Sequence, residues 1–271
     1  MFFITLQTSL CIVVSTLLFS TLNASGCELP LGDRAGDVYR PLVTLTVASE
    51  TASHPDKQTL DPSHAVDEIP LSTREHWMHR AIEMLAEHAS SSCTFAAFGA
   101  VIVNHTDPTS LGELICEAIN SAGRRGNPTL HGEMVAIHRC TEVLQGPQFG
   151  LGPAEAIAAL RDLTLYTTAE PCPMCASAIR WAGFRECVYG TSIEKLVRLG
   201  WRQIGISSAE IIARSNGLGT RTTLREGVLQ RETDPLFSWQ FDQNAPCPEG
   251  CIRNDDGRCV EISSSALPYN W

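Results

Sequence analysis

From residue 71 onward, apolar positions along the chain switch between helical and strand periods. Ala81, Met84, Leu85 and Ala89 recur on one helical face and predict an amphipathic helix, capped by Ser72 and running to about His88. Gly99-Ala100-Val101-Ile102-Val103 and the stretch from Leu114 to Ile119 read as two strands joined through a polar loop. A helix follows from about Gly132 to Leu144, then a β-rich run from Leu163 to Thr168. Pro173 to Ala182 is predicted helical and Glu186 to Tyr189 extended. Ser207-Ser208-Ala209-Glu210 has the form of a capping box before a further helix. No internal repeat interrupts this order, and strands alternating with helices predict an α/β sandwich.

The ends are built differently. Met1 to Leu22 carries no charged side chain and holds the apolar runs Leu10-Cys11-Ile12-Val13-Val14 and Leu17-Leu18-Phe19. Small residues follow at Ala24, Ser25 and Gly26, the pattern of a secretory signal peptide ending near residue 24. The alternative is an uncleaved signal anchor. Residues 25–70 mix Gly, Pro, Asp, Ser and Thr and read as an N-terminal extension. The core domain is expected over 71–241, with a Cys-rich tail over 242–271.

Composition supports export. Asn104-His105-Thr106 is a glycosylation sequon between the first two strands. The chain has 11 cysteines, and setting aside Cys11, Cys172 and Cys175 leaves an even number. Cys247, Cys251 and Cys259 are expected to be oxidised. Three is odd, so at least one bridge should leave the tail, with Cys27 or Cys93 the favoured partner. Cys116, Cys140 and Cys187 lie in apolar segments, where buried free thiols are the alternative. The net charge of −10 makes nucleic acid an unfavourable partner, although Arg124 and Arg125 could form a local basic patch. No later segment is apolar enough to span a bilayer, so no stable membrane association is expected after signal cleavage.

The chemistry sits in two short motifs, His131-Gly132-Glu133 and Pro171-Cys172-Pro173-Met174-Cys175. They match the His-x-Glu and Pro-Cys-x-x-Cys halves of the zinc-deaminase signature. Cys172 and Cys175 are three apart, so one helical turn aims both sulfurs at one point. Pro173 suits a first helical position, and the helix start favours thiolates. With His131 as third ligand, a tetrahedral Zn2+ keeps one position for water, whose pKa it lowers towards about 7. Glu133 would carry protons from that water to a ring nitrogen and then to the leaving amine. A closed structural zinc site would require a fourth ligand, for which His138 and Cys140 are the nearest candidates. A redox Cys-x-x-Cys would leave His131 and Glu133 unexplained.

From Trp77 to about Phe241 the chain resembles the cytidine-deaminase-like superfamily, in particular its guanine deaminase and tRNA adenosine deaminase branch. The resemblance is carried by Phe98 to Val103, by Asn127-Pro128-Thr129-Leu130-His131-Gly132-Glu133-Met134, by Glu170 to Cys175, and by Ala178 to Gly183. It implies a three-layer α/β/α sandwich with a mixed sheet of about five strands, and the possibility of a homodimer. It also implies that Asn120 hydrogen-bonds the base. Pro235-Leu236-Phe237-Ser238-Trp239 is similar to an aromatic C-terminal segment of guanine deaminases, which makes Trp239 a candidate substrate lid. Two departures stand out. Gly132 and Asn127 replace the usual Ala and Asp. Gly200-Trp201-Arg202-Gln203 stands where guanine deaminases carry an acidic residue, which puts guanine itself in question.

The expected function is therefore zinc-dependent hydrolytic deamination of a small-molecule nucleobase or nucleoside, purine-type by resemblance. The alternatives are a deaminase of adenosine or cytosine in RNA or single-stranded DNA, and a non-catalytic zinc-stabilised binding protein. His76, His79 and His88 read as surface or packing residues. Trp181 and Trp201 read as core or interface residues.

Overall fold

Pro70 starts the first helix rather than Ser72. Its carbonyl accepts from the amides of Thr73 and Arg74, which places Ser72 inside the first turn of α1 (Leu71–Ala89). A proline has no amide to lose at a helix start, so it fits there without a side-chain cap. The computed structural model describes residues 69–89, 91–107 and 110–262. The expected signal peptide, nearly all of the extension and Cys27 lie outside them. All described residues fall in one compact unit.

Trp77, Met78, Ala81, Met84 and Leu85 form the buried stripe of α1. Then come β1 (Gly99–Asn104) and β2 (Glu113–Ile119), with Asn104 of the sequon ending β1. The short α2 (Ala122–Arg125) precedes α3 (Gly132–Gln145) and α4 (Pro153–Ala159). β3 (Leu163–Ala169), α5 (Pro173–Ala182) and β4 (Glu186–Thr191) form a βαβ unit, with β3 and β4 parallel. After α6 (Ile193–Arg198) and α7 (Ser208–Arg214) comes β5 (Thr223–Arg225), parallel to β4. Ser207 caps α7 by accepting from the Glu210 amide.

The strands form a mixed five-stranded sheet in the order β2-β1-β3-β4-β5, with β1 antiparallel to both neighbours. This is the expected α/β fold. In β1 alternate residues go to opposite faces: Val101 and Val103 meet α1, while Ala100 and Ile102 meet α3. Each such fully buried Val or Ile stabilises the fold by about 1.5–3 kcal/mol. Helices therefore cover both faces, and the sandwich has three layers. A buried ion pair joins α1 to the sheet, with Arg74 Nη2 2.8 Å from Glu186 Oε1 on β4.

The tail folds back as a hairpin of β6 (Cys251–Arg253) and β7 (Cys259–Glu261) after the short α8 (Gln230–Thr233). All three tail cysteines are bridged. Cys247 pairs with Cys259, and Cys251 reaches out to Cys93 in the loop before β1. A third bridge, Cys116–Cys140, joins β2 to α3, and Cys187 is a free buried thiol on β4. The histidines of α1 are occupied as expected: His79 pairs with Glu232 and His88 with Glu117.

Candidate metal centre and cavity

His131 and Cys172 occupy equivalent places, each in extended conformation one residue before a helix, α3 and α5 respectively. The turn that delivers His131 is locally encoded. Asn127 Oδ1 accepts from the Thr129 amide at 3.0 Å and its hydroxyl at 2.8 Å, and the Leu130 carbonyl accepts from the Ser121 amide. Asn therefore supplies the acceptor that Asp would, so this departure keeps the turn. At the other half, Pro173 opens α5 and Cys175 follows within its first turn.

The two helix starts converge. His131 Nδ1 lies 3.5 Å from Cys172 Sγ and 3.6 Å from Cys175 Sγ, and the sulfurs are 3.7 Å apart. A tetrahedral ion with bonds of ~2.3 Å to sulfur and ~2.0–2.1 Å to nitrogen separates its donors by about 3.5–3.8 Å. The donor triangle fits zinc. Among the described residues no fourth side-chain donor joins it. The two sequence candidates are used elsewhere: Cys140 is bridged to Cys116, and His138 is exposed and paired with Glu142.

The three donors also shift one another's protonation. The hydrogen bond between the two sulfurs lowers the Cys172 thiol to about 4 and pushes Cys175 well above the usual thiol range. His131 is raised by its hydrogen bond to Cys172. A bound cation would hold both sulfurs as thiolates. A second cluster, Glu87, His88 and Glu117, is closed by Arg80, whose guanidinium bonds both carboxylates.

Glu133, two residues into α3, is 5% exposed, and burial pushes its carboxyl up to about 7. It lines a cavity of about 190 Å³ together with His131, Cys172, Asn120, Phe98 and the segment Trp201-Arg202-Gln203. Asn120 serves two ends. Its Oδ1 accepts from the Ala122 amide at 2.9 Å, which leaves its amide nitrogen for the cavity. Glu170 also borders the cavity, yet its carboxylate is taken by the amides of Ile193 and Ser208 and the Ser208 hydroxyl. It fastens the starts of α6 and α7 to the segment before Cys172.

Trp239, the candidate lid, stands apart from this cavity within its own chain. It does not line this cavity; it is 4% exposed and packs edge-on against Phe95, with ring centroids 5.9 Å apart. Trp201 takes the wall position, brought there by long-range packing that no local motif announces. Phe98, Arg202 and Gln203 also went unassigned, although the departure at residues 200–203 marked the segment.

Gly132 has a steric reason. A Cβ at this position would lie 2.6 Å from the Phe98 carbonyl oxygen, which also accepts from the Asn120 amide. Glycine lets α3 start against the strand ends that bear Phe98 and Asn120. Gly132→Ala should destabilise the protein by about 1–3 kcal/mol through this overpacking. An unchanged denaturant midpoint would show that the contact relaxes freely.

Residues 71–191 match the family described as the cytidine and deoxycytidylate deaminase zinc-binding region. The chain is 35% identical over 108 residues to the guanine deaminase of Bacillus subtilis, covering 40% of this chain and 58% of that protein. It is 34% identical over 105 residues to a probable cytosine deaminase of Schizosaccharomyces pombe, covering 38% and 51% respectively. The chain thus spans between half and three fifths of these curated relatives. Among solved structures, the Bacillus subtilis guanine deaminase shows 30% identity, with 48% of this chain and 71% of that one covered and a TM-score of 0.37. A guanine deaminase structure from Nitrosomonas europaea shows 19% identity, covering 68% and 97%, with a TM-score of 0.45.

Proposed function

The chain belongs to the cytidine-deaminase-like superfamily, and on that premise we propose that it is a zinc-dependent hydrolase that deaminates a nucleobase or nucleoside. One observation carries the reading: two members of the three-donor triangle, His131 and Cys172, and the buried carboxyl of Glu133 open on the same small cavity. A closed structural site would have neither an open side nor a proton carrier.

When bound, zinc supplies Lewis-acid activation of water near neutral pH. His131, Cys172 and Cys175 would hold it. Glu133 takes a proton from the attacking water and delivers it to the ring nitrogen beside the amino-bearing carbon. It then takes the second water proton and gives it to the departing amine. The C–N bond breaks, a C–O bond replaces it, and ammonia leaves. The Asn120 amide nitrogen donates to an acceptor on the ring, and Phe98 and Trp201 form aromatic sides that suit a flat heterocycle.

The motif resemblance favours a purine-type base. Arg202, where guanine deaminases carry an acid, weighs against guanine as the preferred one. The three disulfides support passage through an oxidising compartment and hence secretion.

Ammonia release from a panel of bases, nucleosides and single-stranded RNA and DNA tests the assignment. Release from a free base or nucleoside is expected. Zinc-loaded protein that releases ammonia from nothing would overturn it, and release from strands alone would move the activity to nucleic acid.

A further inference from the structure

Trp201 reaches the cavity from an unusual base. The chain leaves α6 through Gly200, at φ +106°, and residues 201–206 form no helix or strand. The indole is held by one main-chain carbonyl and a set of aromatic side chains instead. Its Nε1 donates to the Phe237 carbonyl at 2.8 Å, and its ring meets Phe98 at 5.2 Å, Phe95 at 5.7 Å and Phe241 at 5.2 Å. An added Cβ at Gly200 would lie 2.9 Å from the Phe241 ring, so Phe241 seats directly on this turn.

Phe95 and Phe241 are themselves 55% and 50% exposed, so burial alone holds them weakly. What ties them down is the segment from Gln240 onward together with the C-terminal hairpin that holds it. Gln240 Nε2 donates to the Phe95 carbonyl at 2.8 Å. The Arg253 guanidinium on β6 donates to the carbonyls of Asp242 and Ala245, on the segment just after Phe241. Cys93–Cys251 ties β6 to the chain two residues before Phe95, across a separation of 158 residues. Yet no residue of the hairpin lines the cavity. Among the described contacts, the hairpin touches the site through this aromatic chain.

We propose that the disulfide-locked C-terminal hairpin is a positioning element for Trp201, which acts as the specificity-determining wall against a flat aromatic heterocycle. The heterocycle, but not the positioning, rests on the deaminase assignment. Without the bridge the hairpin gains freedom, Phe95 and Phe241 lose their register, and Trp201 samples orientations that leave the cavity open. The cost falls on substrate binding, because neither the metal donors nor Glu133 belong to this network.

The test uses the full chain carrying Cys93→Ser and Cys251→Ser, read by amide hydrogen exchange over residues 199–203, zinc content and steady-state kinetics. Exchange there should rise roughly tenfold without substrate. Zinc should stay at the wild-type level, and KM should rise about 3–10-fold with kcat within about twofold. Trp201→Ala should raise KM similarly, and adding it to the bridge variant should raise KM no further, since both act through one wall. Phe241→Ala keeps every bridge and should reproduce the exchange and KM changes, which covers a bridge variant that fails to fold. Unchanged exchange at 199–203 in Phe241→Ala, or KM effects of bridge and Trp201 that multiply, would overturn the proposal. If no heterocycle is turned over, the deaminase assignment fails, while the exchange result still decides the positioning.

Discussion

Glu133→Gln protein should keep its fold and its zinc and lose about 10²–10⁴ in deamination rate, the range for removing a positioned proton carrier. The side chain stands two residues after His131 in the first turn of α3, 5% exposed and lining the same cavity as His131 and Cys172. It is not one of the three atoms that form the metal triangle. Gln preserves shape and hydrogen-bonding reach but cannot shuttle a proton. It also removes a group whose ionisation burial already opposes, so stability should hold or rise slightly. Zinc content and single-turnover ammonia release on one preparation decide the matter. Near-full activity would remove Glu133 from the mechanism, and loss of zinc would make it a ligand.

Cys175→Ser and His131→Ala should each abolish zinc binding and, with it, activity. Each of the three donors lies 3.5–3.7 Å from the other two; Cys175→Ser leaves one donor on each of two helix starts, His131→Ala leaves only the two sulfurs of α5, and two donors do not hold a tetrahedral ion. The stability effect is also large. A ligand that binds only the folded state adds about 4 kcal/mol when its free concentration is 1,000 times Kd, and both variants should forfeit that increment. Melting of wild-type protein with and without added zinc should show a wide gap in Tm, and the variants should show none. A Cys175→Ser protein that retained full zinc would refute the donor set.

Much of the architecture could be read before any coordinates. The helix α1 follows from its apolar helical period, α3 and α5 open at the two motifs, and β1, β3 and β4, buried on both faces, read as short β-rich runs. The shorter α4, α6 and β5 were not legible. A three-residue strand such as Thr223–Arg225 carries no period of its own and exists because β4 offers it an edge. Ser72 is not the cap because Pro70, whose carbonyl accepts the amides of Thr73 and Arg74, takes that place two residues earlier.

The divide runs the same way through the site. His131, Glu133, Cys172 and Cys175 are local: two helix starts and one turn of α5 set which side chains point together, and those rules act over a few residues. The sequence alone therefore singled out the four side chains that the structure brings together at this site. It also placed Cys93 among the partners of the tail, by counting. Which tryptophan walls the cavity was a matter of packing. Trp201 and Trp239 are equally aromatic and equally near turns, yet one meets the cavity and the other is buried against Phe95. That choice depends on a carbonyl at Phe237, a ring at Phe241 and a disulfide from Cys93 to Cys251, contacts that span up to 158 residues. Long-range contacts of this kind follow from how the whole chain closes on itself, and only the tertiary structure decides them.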